Sequence, residues 1–474
     1  MSLTSTRSGR RAAADGARRN PSGSTGARPR RYVPGLLAVL ATLVIFREPL
    51  TSTGPRSSAV WASLTLLLVL VVQLRAAGGR GITVGLAYTS LAVLFHGGLL
   101  IPLAMTGSVD LFNTRDSEWF SSEYLPEAAW LSCVGILAFS IAYLVALRRS
   151  PETEPQSLPA KETSGNVSAL GLALAVLGIA SWTWWVYQAG ALVLGSSYLD
   201  FLDRTSNAPL PYAYLAMGIG LPMAATADKN WRRALLLFVL WSLQAFVLGL
   251  RGEVLLPLMA ALIVRSRQRP VPLWPVVAGG VLALCVGAFV RGIRLTGLSG
   301  SSIDIRAFNP LDGLVELGYS IRPVVIALQW STEGESHVGI ATYVNPTLRP
   351  LGLGGPPVDQ DPAAFSAVVS DRVGAIGGSP IAEAFRAGGP AGVVIVLALI
   401  GVLCALLDGS RPTPLAGARV GAIAFVLILW VRNDFVPVPF QLVLVAAALS
   451  LASLLPRTEH RRTTRCRPSR PGQV

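Results

Sequence analysis

Lysine is almost absent from this chain: of 40 basic side chains only Lys161 and Lys229 are lysine, and the rest are arginine. Charge of any kind is scarce, at 14% of 474 residues against 52% hydrophobic, and the mean hydropathy is +0.53. A chain of this length and apolarity is excluded from the soluble globular class and points to many membrane spans. There are four cysteines, with Cys133, Cys285 and Cys404 in apolar runs and Cys466 in the C-terminal tail. Their spacing excludes a disulfide framework and a cysteine-held metal. Histidine occurs three times, and no His/Asp/Glu group has ligand spacing. There is no P-loop and no dinucleotide fingerprint. A donor or energy source therefore has to be carried in by the substrate. No tandem repeat is evident.

The formal charge of +14 suggests nucleic acid at first sight, and its distribution argues against it. Residues 1–31 hold eight Arg and one Asp, and residues 457–474 hold six Arg and one Glu, so the body between the tails is close to neutral. Such tails read as disordered cytoplasmic anchors that meet anionic lipid, not nucleic acid. Between them lie twelve apolar segments, at 32–46, 59–74, 82–105, 127–147, 167–190, 211–227, 234–250, 254–264, 271–290, 391–407, 420–431 and 440–456. The expected fold is all-α: a polytopic membrane protein of about 12 helices, with nine spans in 32–290 and three in 391–456. With the N-terminus inside, inner segments carry 27 basic and 7 acidic residues, and outer segments 13 and 19. That asymmetry puts both termini in the cytoplasm.

The outer connections are acidic and aromatic at 106–126, which holds Asp110, Asp116, Glu118, Trp119, Phe120, Glu123 and Tyr124. A second, at 191–210, contains Tyr198, Asp200, Asp203 and Arg204. The longest runs from Arg291 to Pro390, the one long polar interruption of the chain, and is expected to cap a membrane-embedded site. Within it 310–330 reads as an amphipathic helix, and 343–362, rich in Pro and Gly, as irregular.

Arginines on the outer side run against the positive-inside rule, so they are the first candidates for function. Arg251 stands between two apolar runs, Arg432 ends the eleventh, Arg291 and Arg294 leave the ninth, and Arg322 lies in the helical part of the large loop. Each has a plain alternative: Arg251 as a salt bridge to Glu253 or a headgroup contact, Arg432 as an ion pair with Asp434. The functional reading is a set of guanidinium forks converging on an anion, because such forks match phosphate oxygens and stay charged at any relevant pH. Ser379 followed by Glu383 is a common helix start. His337 reads as a solvated loop residue and His96 as a packed or hydrogen-bonded one.

Three short motifs together resemble the O-antigen polymerase (Wzy-type) family of oligosaccharide repeat-unit polymerases. They are Gly249-Leu250-Arg251 at an outer span end, the run from Tyr343-Val344-Asn345-Pro346 to Arg349-Pro350, and Ser379…Glu383…Gly389…Gly392. Arg432-Asn433-Asp434 after a late span also fits, while Ala387 stands where members often carry Asn. The overall plan matches over nearly the whole length. The resemblance implies a relation to GT-C-type membrane glycosyltransferases in the bacterial cytoplasmic membrane. It implies transfer of a glycan from undecaprenyl pyrophosphate to a sugar hydroxyl of a new lipid-linked repeat unit at the outer face, without cofactor or metal. Arg251, Arg322, Arg432 and Arg291 would hold the pyrophosphate, and Glu383 or His337 would take the hydroxyl's proton. Implied partners are the lipid-linked glycans, membrane lipids, a chain-length regulator and a repeat-unit flippase. An O-antigen ligase-like transferase shares this plan. A transporter or flippase for lipid-linked sugars would place charges mid-span and show repeats, and a membrane scaffold would not need outward arginines.

Overall fold

A backbone in hydrocarbon must satisfy its own hydrogen bonds, which favours helices wherever the sequence is apolar over a long run. In a computed structural model of the protein every regular element among the described residues is helical. The described residues are 29–78, 81–109, 111, 118–147, 163–191, 198–269, 271–296, 309, 311–374, 376–411 and 413–455. The basic tails lie outside them, apart from residues 29–31.

The helices are, in order, α1 (Val33–Ile45), α2 (Arg47–Thr51), α3 (Pro55–Ala77), α4 (Val84–Gly97), α5 (Leu100–Thr106), α6 (Leu125–Leu147) and α7 (Thr163–Gln188). There follow α8 (Tyr198–Thr205), α9 (Leu210–Ala224), α10 (Asp228–Val247), α11 (Arg251–Gln268), α12 (Leu273–Thr296) and α13 (Leu311–Leu317). The chain ends with α14 (Arg322–Thr332), α15 (Ala341–Leu348), α16 (Phe365–Arg372), α17 (Pro380–Asp408), α18 (Pro414–Trp430) and α19 (Val438–Leu454). Each of the twelve apolar segments is helical. By length and composition α3, α6, α7 and α17 can each cross a membrane, and α4 with α5 makes a fifth if the pair, bent by 54°, is one span. The other apolar helices are shorter, or carry charge near their ends.

The body is built from α17 lying along α6 and α9 lying along α7, with α18 joining α9 to α11. One end of the bundle is tied by Asp408, which accepts hydrogen bonds from Val84 N (2.9 Å), Gly85 N (3.1 Å) and the Tyr143 hydroxyl (2.9 Å). Arg267 donates there to the carbonyls of Leu407 and Asp408, both at 3.2 Å. Of the large segment 291–390, residues 291–296, 309, 311–374 and 376–390 are described.

That segment does not merely overlie the bundle. Ile321, Val324, Val325 and Leu328 are buried, and α14 packs on α6 and α17. Its entry depends on two glycines. A Cβ at Gly318 would lie 2.2 Å from Leu99 N, and one at Gly98 would lie 2.4 Å from Leu314 O. The backbones therefore cross in contact where α4 and α5 bend. The expectation of an irregular 343–362 is corrected in part: α15 extends through Leu348 with Pro346 inside it. Buried Asp361 folds the rest back, accepting from Asn345 Nδ2 (3.1 Å) and Arg349 (2.7 Å). Helix α17 begins at Pro380, earlier than the apolar run, and its backbone breaks at Gly388 and Gly389. Gly389 has φ +62°, a conformation that favours glycine.

Candidate functional site

Gly249, at φ +83°, turns the chain from α10 into α11, so that Arg251 becomes the first helical residue. A cation there opposes the helix macrodipole, whereas Glu253 two positions on agrees with it. Arg251 is held in place by Glu316 from α13, at 3.1 Å, with the two side chains 6% and 7% exposed. The plain alternative of a pair with Glu253 is not what forms among the described residues. Residues two apart on a helix do not face each other, and the large segment supplies the carboxylate instead. Tyr198, Gly249, Arg251, Glu253, Glu316, Leu317 and Arg432 line one cleft.

Arg432 reaches this cleft from 181 residues beyond Arg251. Its Nη1 lies 3.1 Å from where a Cβ on Gly252 would stand, so its guanidinium rests on the first turn of α11. The segment bearing it, just past α18, is clamped from behind. Gly378 N donates to Arg432 O at 3.0 Å, and a Cβ on Gly378 would lie 2.4 Å from Asp434 N. Glu383 is 1% exposed, and its two oxygens accept from Phe435 N (2.8 Å) and Trp430 Nε1 (2.9 Å). Ser379 caps α17, its hydroxyl accepting from Ile381 N and Ala382 N. The same hydroxyl lies 2.9 Å from His96 Nε2, whose other ring nitrogen is 3.1 Å from Ala92 O. Asp434 makes no ion pair with Arg432; it is buried and hydrogen-bonded to Ser366, and burial holds its carboxyl above the usual carboxylate range.

The cleft thus joins Arg251 and Arg432 but not every residue singled out from the sequence. Arg322, at the start of α14, lies over the Trp119 ring at 5.8 Å, off the cleft lining. Arg291 belongs to the last turns of α12, and its side chain lies outside the described residues. His337 is exposed, edge-on to Phe385 at 5.9 Å and beside Gly389. Glu383 stands behind the cleft, occupied by the turn that carries Arg432. Sequence reasoning did not single out Glu316, Glu253 or Tyr198 as site residues. The one signal for Glu316 was its place in the amphipathic stretch 310–330. Among the described residues no three of His, Cys, Asp and Glu come together as a metal site needs.

The sequence model of the O-antigen polysaccharide polymerase Wzy family matches residues 38–352. The chain belongs to that family. The match covers Arg251, Glu253 and Glu316 and ends before Glu383 and Arg432. Protein CapE of Staphylococcus aureus is 27% identical over 251 residues, 52% of this chain and 56% of CapE. The chain therefore spans about half the length of this curated relative. No solved structure matches. The cleft sets two arginines, Arg251 and Arg432, beside two carboxylates, Glu253 and Glu316.

Proposed function

We propose that the chain polymerises lipid-linked oligosaccharide repeat units at the outer face of the bacterial cytoplasmic membrane. In this reading all twelve apolar segments cross the membrane, both tails are cytoplasmic, and the cleft faces outward. The 27 to 13 split of basic residues between the two sides supports it. The donor is a growing glycan on undecaprenyl pyrophosphate, and the acceptor is a sugar hydroxyl of a second lipid-linked unit. A flippase would deliver that unit, and a chain-length regulator would act on the product.

The observation that carries this reading is the convergence of Arg251 and Arg432 on one cleft. As the glycosidic bond to pyrophosphate breaks, negative charge gathers on the departing phosphate oxygen. The two guanidinium groups stabilise that charge more in the transition state than in the bound donor. Glu316 sets the position of Arg251, and Glu383 sets that of Arg432 by holding Trp430 and Phe435. Glu383 is on this account a positioning residue. No metal is required, since the arginines carry the neutralising charge.

The test uses purified full chain in lipid nanodiscs with undecaprenyl-pyrophosphate-linked repeat units, with EDTA present, read as a ladder of product lengths. A charge-assisted hydrogen bond is worth about 1.5–3 kcal/mol, and 1.4 kcal/mol is a factor of ten in rate. Arg251→Ala and Arg432→Ala should each slow extension by roughly 10- to 100-fold, and Lys should rescue only in part. Folded, abundant variants that extend at the wild-type rate would refute the clamp. Activity lost in EDTA and restored by Mg²⁺ would refute metal independence.

A further inference from the structure

The cleft holds two carboxylates as well as two arginines, and the arginine clamp accounts for only one of them. Glu316 is buried against Arg251 and serves to hold it. Glu253 is half-buried on the first turn of α11, lines the same cleft, and makes no hydrogen bond or ion pair among the described residues. An anion there repels the donor's pyrophosphate, so its presence works against donor binding. A carboxylate so placed is suited to accept a proton from a neutral hydroxyl brought next to the phosphate.

We infer that Glu253 is the general base of the transfer, and that the hydroxyl of the incoming sugar docks between it and Arg432. This rests on the polymerase reading above. In the step, a Glu253 carboxylate oxygen takes the proton of the acceptor hydroxyl. The hydroxyl oxygen forms a bond to the anomeric carbon of the donor sugar. The bond from that carbon to the pyrophosphate oxygen breaks, and its electron pair leaves with undecaprenyl pyrophosphate. Arg251 and Arg432 hold the released anion, and Glu253 returns its proton to water. Gly252 lies between Glu253 and Arg251 in the chain and against Arg432 in space, so base and clamp share one helical turn. Glu383 is enclosed and His337 is off the cleft lining, and neither competes for this role.

The experiment compares the full chain with Glu253→Gln and Glu253→Asp in nanodiscs. It measures kcat and donor KM for chain extension, and inhibition by undecaprenyl pyrophosphate. Glutamine keeps the shape and loses the base. The expected result is a kcat lower by about 100- to 10,000-fold, the usual span for a general base. Donor KM should be unchanged or lower, and inhibition by undecaprenyl pyrophosphate equal or stronger. Aspartate, with the carboxylate drawn back, should retain part of the rate. An unchanged kcat for Glu253→Gln would overturn the proposal. So would a loss that appears as a raised donor KM and weakened inhibition, since that would make Glu253 a binding or structural residue. If Glu253→Gln is fully active while Arg251→Ala is not, the base assignment fails and the polymerase reading stands. If the wild-type chain extends nothing from these substrates, the polymerase reading itself fails.

Discussion

Gly252→Ala is the sharpest perturbation that the geometry offers. The position is helical with ordinary backbone angles, so alanine fits the backbone, and replacing glycine in a helix gains up to about 1 kcal/mol of stability. The new Cβ would stand 3.1 Å from Arg432 Nη1, closer than a comfortable carbon–nitrogen contact. Arg432 is exposed and its fork sits on a flexible aliphatic stem, so it yields by a few tenths of an ångström. Such a shift does not remove its charge, but it spoils the alignment of a bidentate phosphate contact. Losing about half of a charge-assisted bond of 1.5–3 kcal/mol leaves a deficit of roughly 1 kcal/mol, or about a fivefold fall in extension rate. Gly252→Leu should cost more, because a branched side chain fills the space that the guanidinium occupies. The assay is the product ladder in nanodiscs beside thermal melting of the same samples. Reduced extension at equal or higher melting temperature is the expected pair of results. Full activity in both variants would mean that Arg432 need not rest on α11 to work.

Two further predictions follow from the same geometry. Glu316→Gln leaves the Arg251 guanidinium buried without its carboxylate, a change that typically costs about 3–5 kcal/mol; the melting temperature should fall clearly, and undecaprenyl pyrophosphate should recover part of the loss by supplying the missing anion, whereas an unchanged melting curve would show the pair to be dispensable. Reporter fusions after Arg149, Arg233 and Arg419 should read cytoplasmic and one near Asp359 external; an internal signal at Asp359 would overturn the membrane topology.

The sequence by itself determined which stretches become helices. Burial of apolar surface and the placement of arginine are local properties, readable from runs of residues without knowing what they touch. The twelve apolar segments are all helical, the Ser379 cap forms as its pattern implies, and Arg251 and Arg432 stand at one end of the bundle as their flanking runs require. What the tertiary structure alone decided is who meets whom. Arg251 could have paired with Glu253, and it pairs instead with Glu316, because the close crossing of Gly98 and Gly318 lets the large segment enter the bundle there. Glu383 could have been an open base, and it is enclosed because Trp430 and the Phe435 amide fold onto it. Pattern carries no record of such choices: among several arginines and carboxylates of like chemistry, the partners are set by backbone approach and packing between segments far apart in the chain.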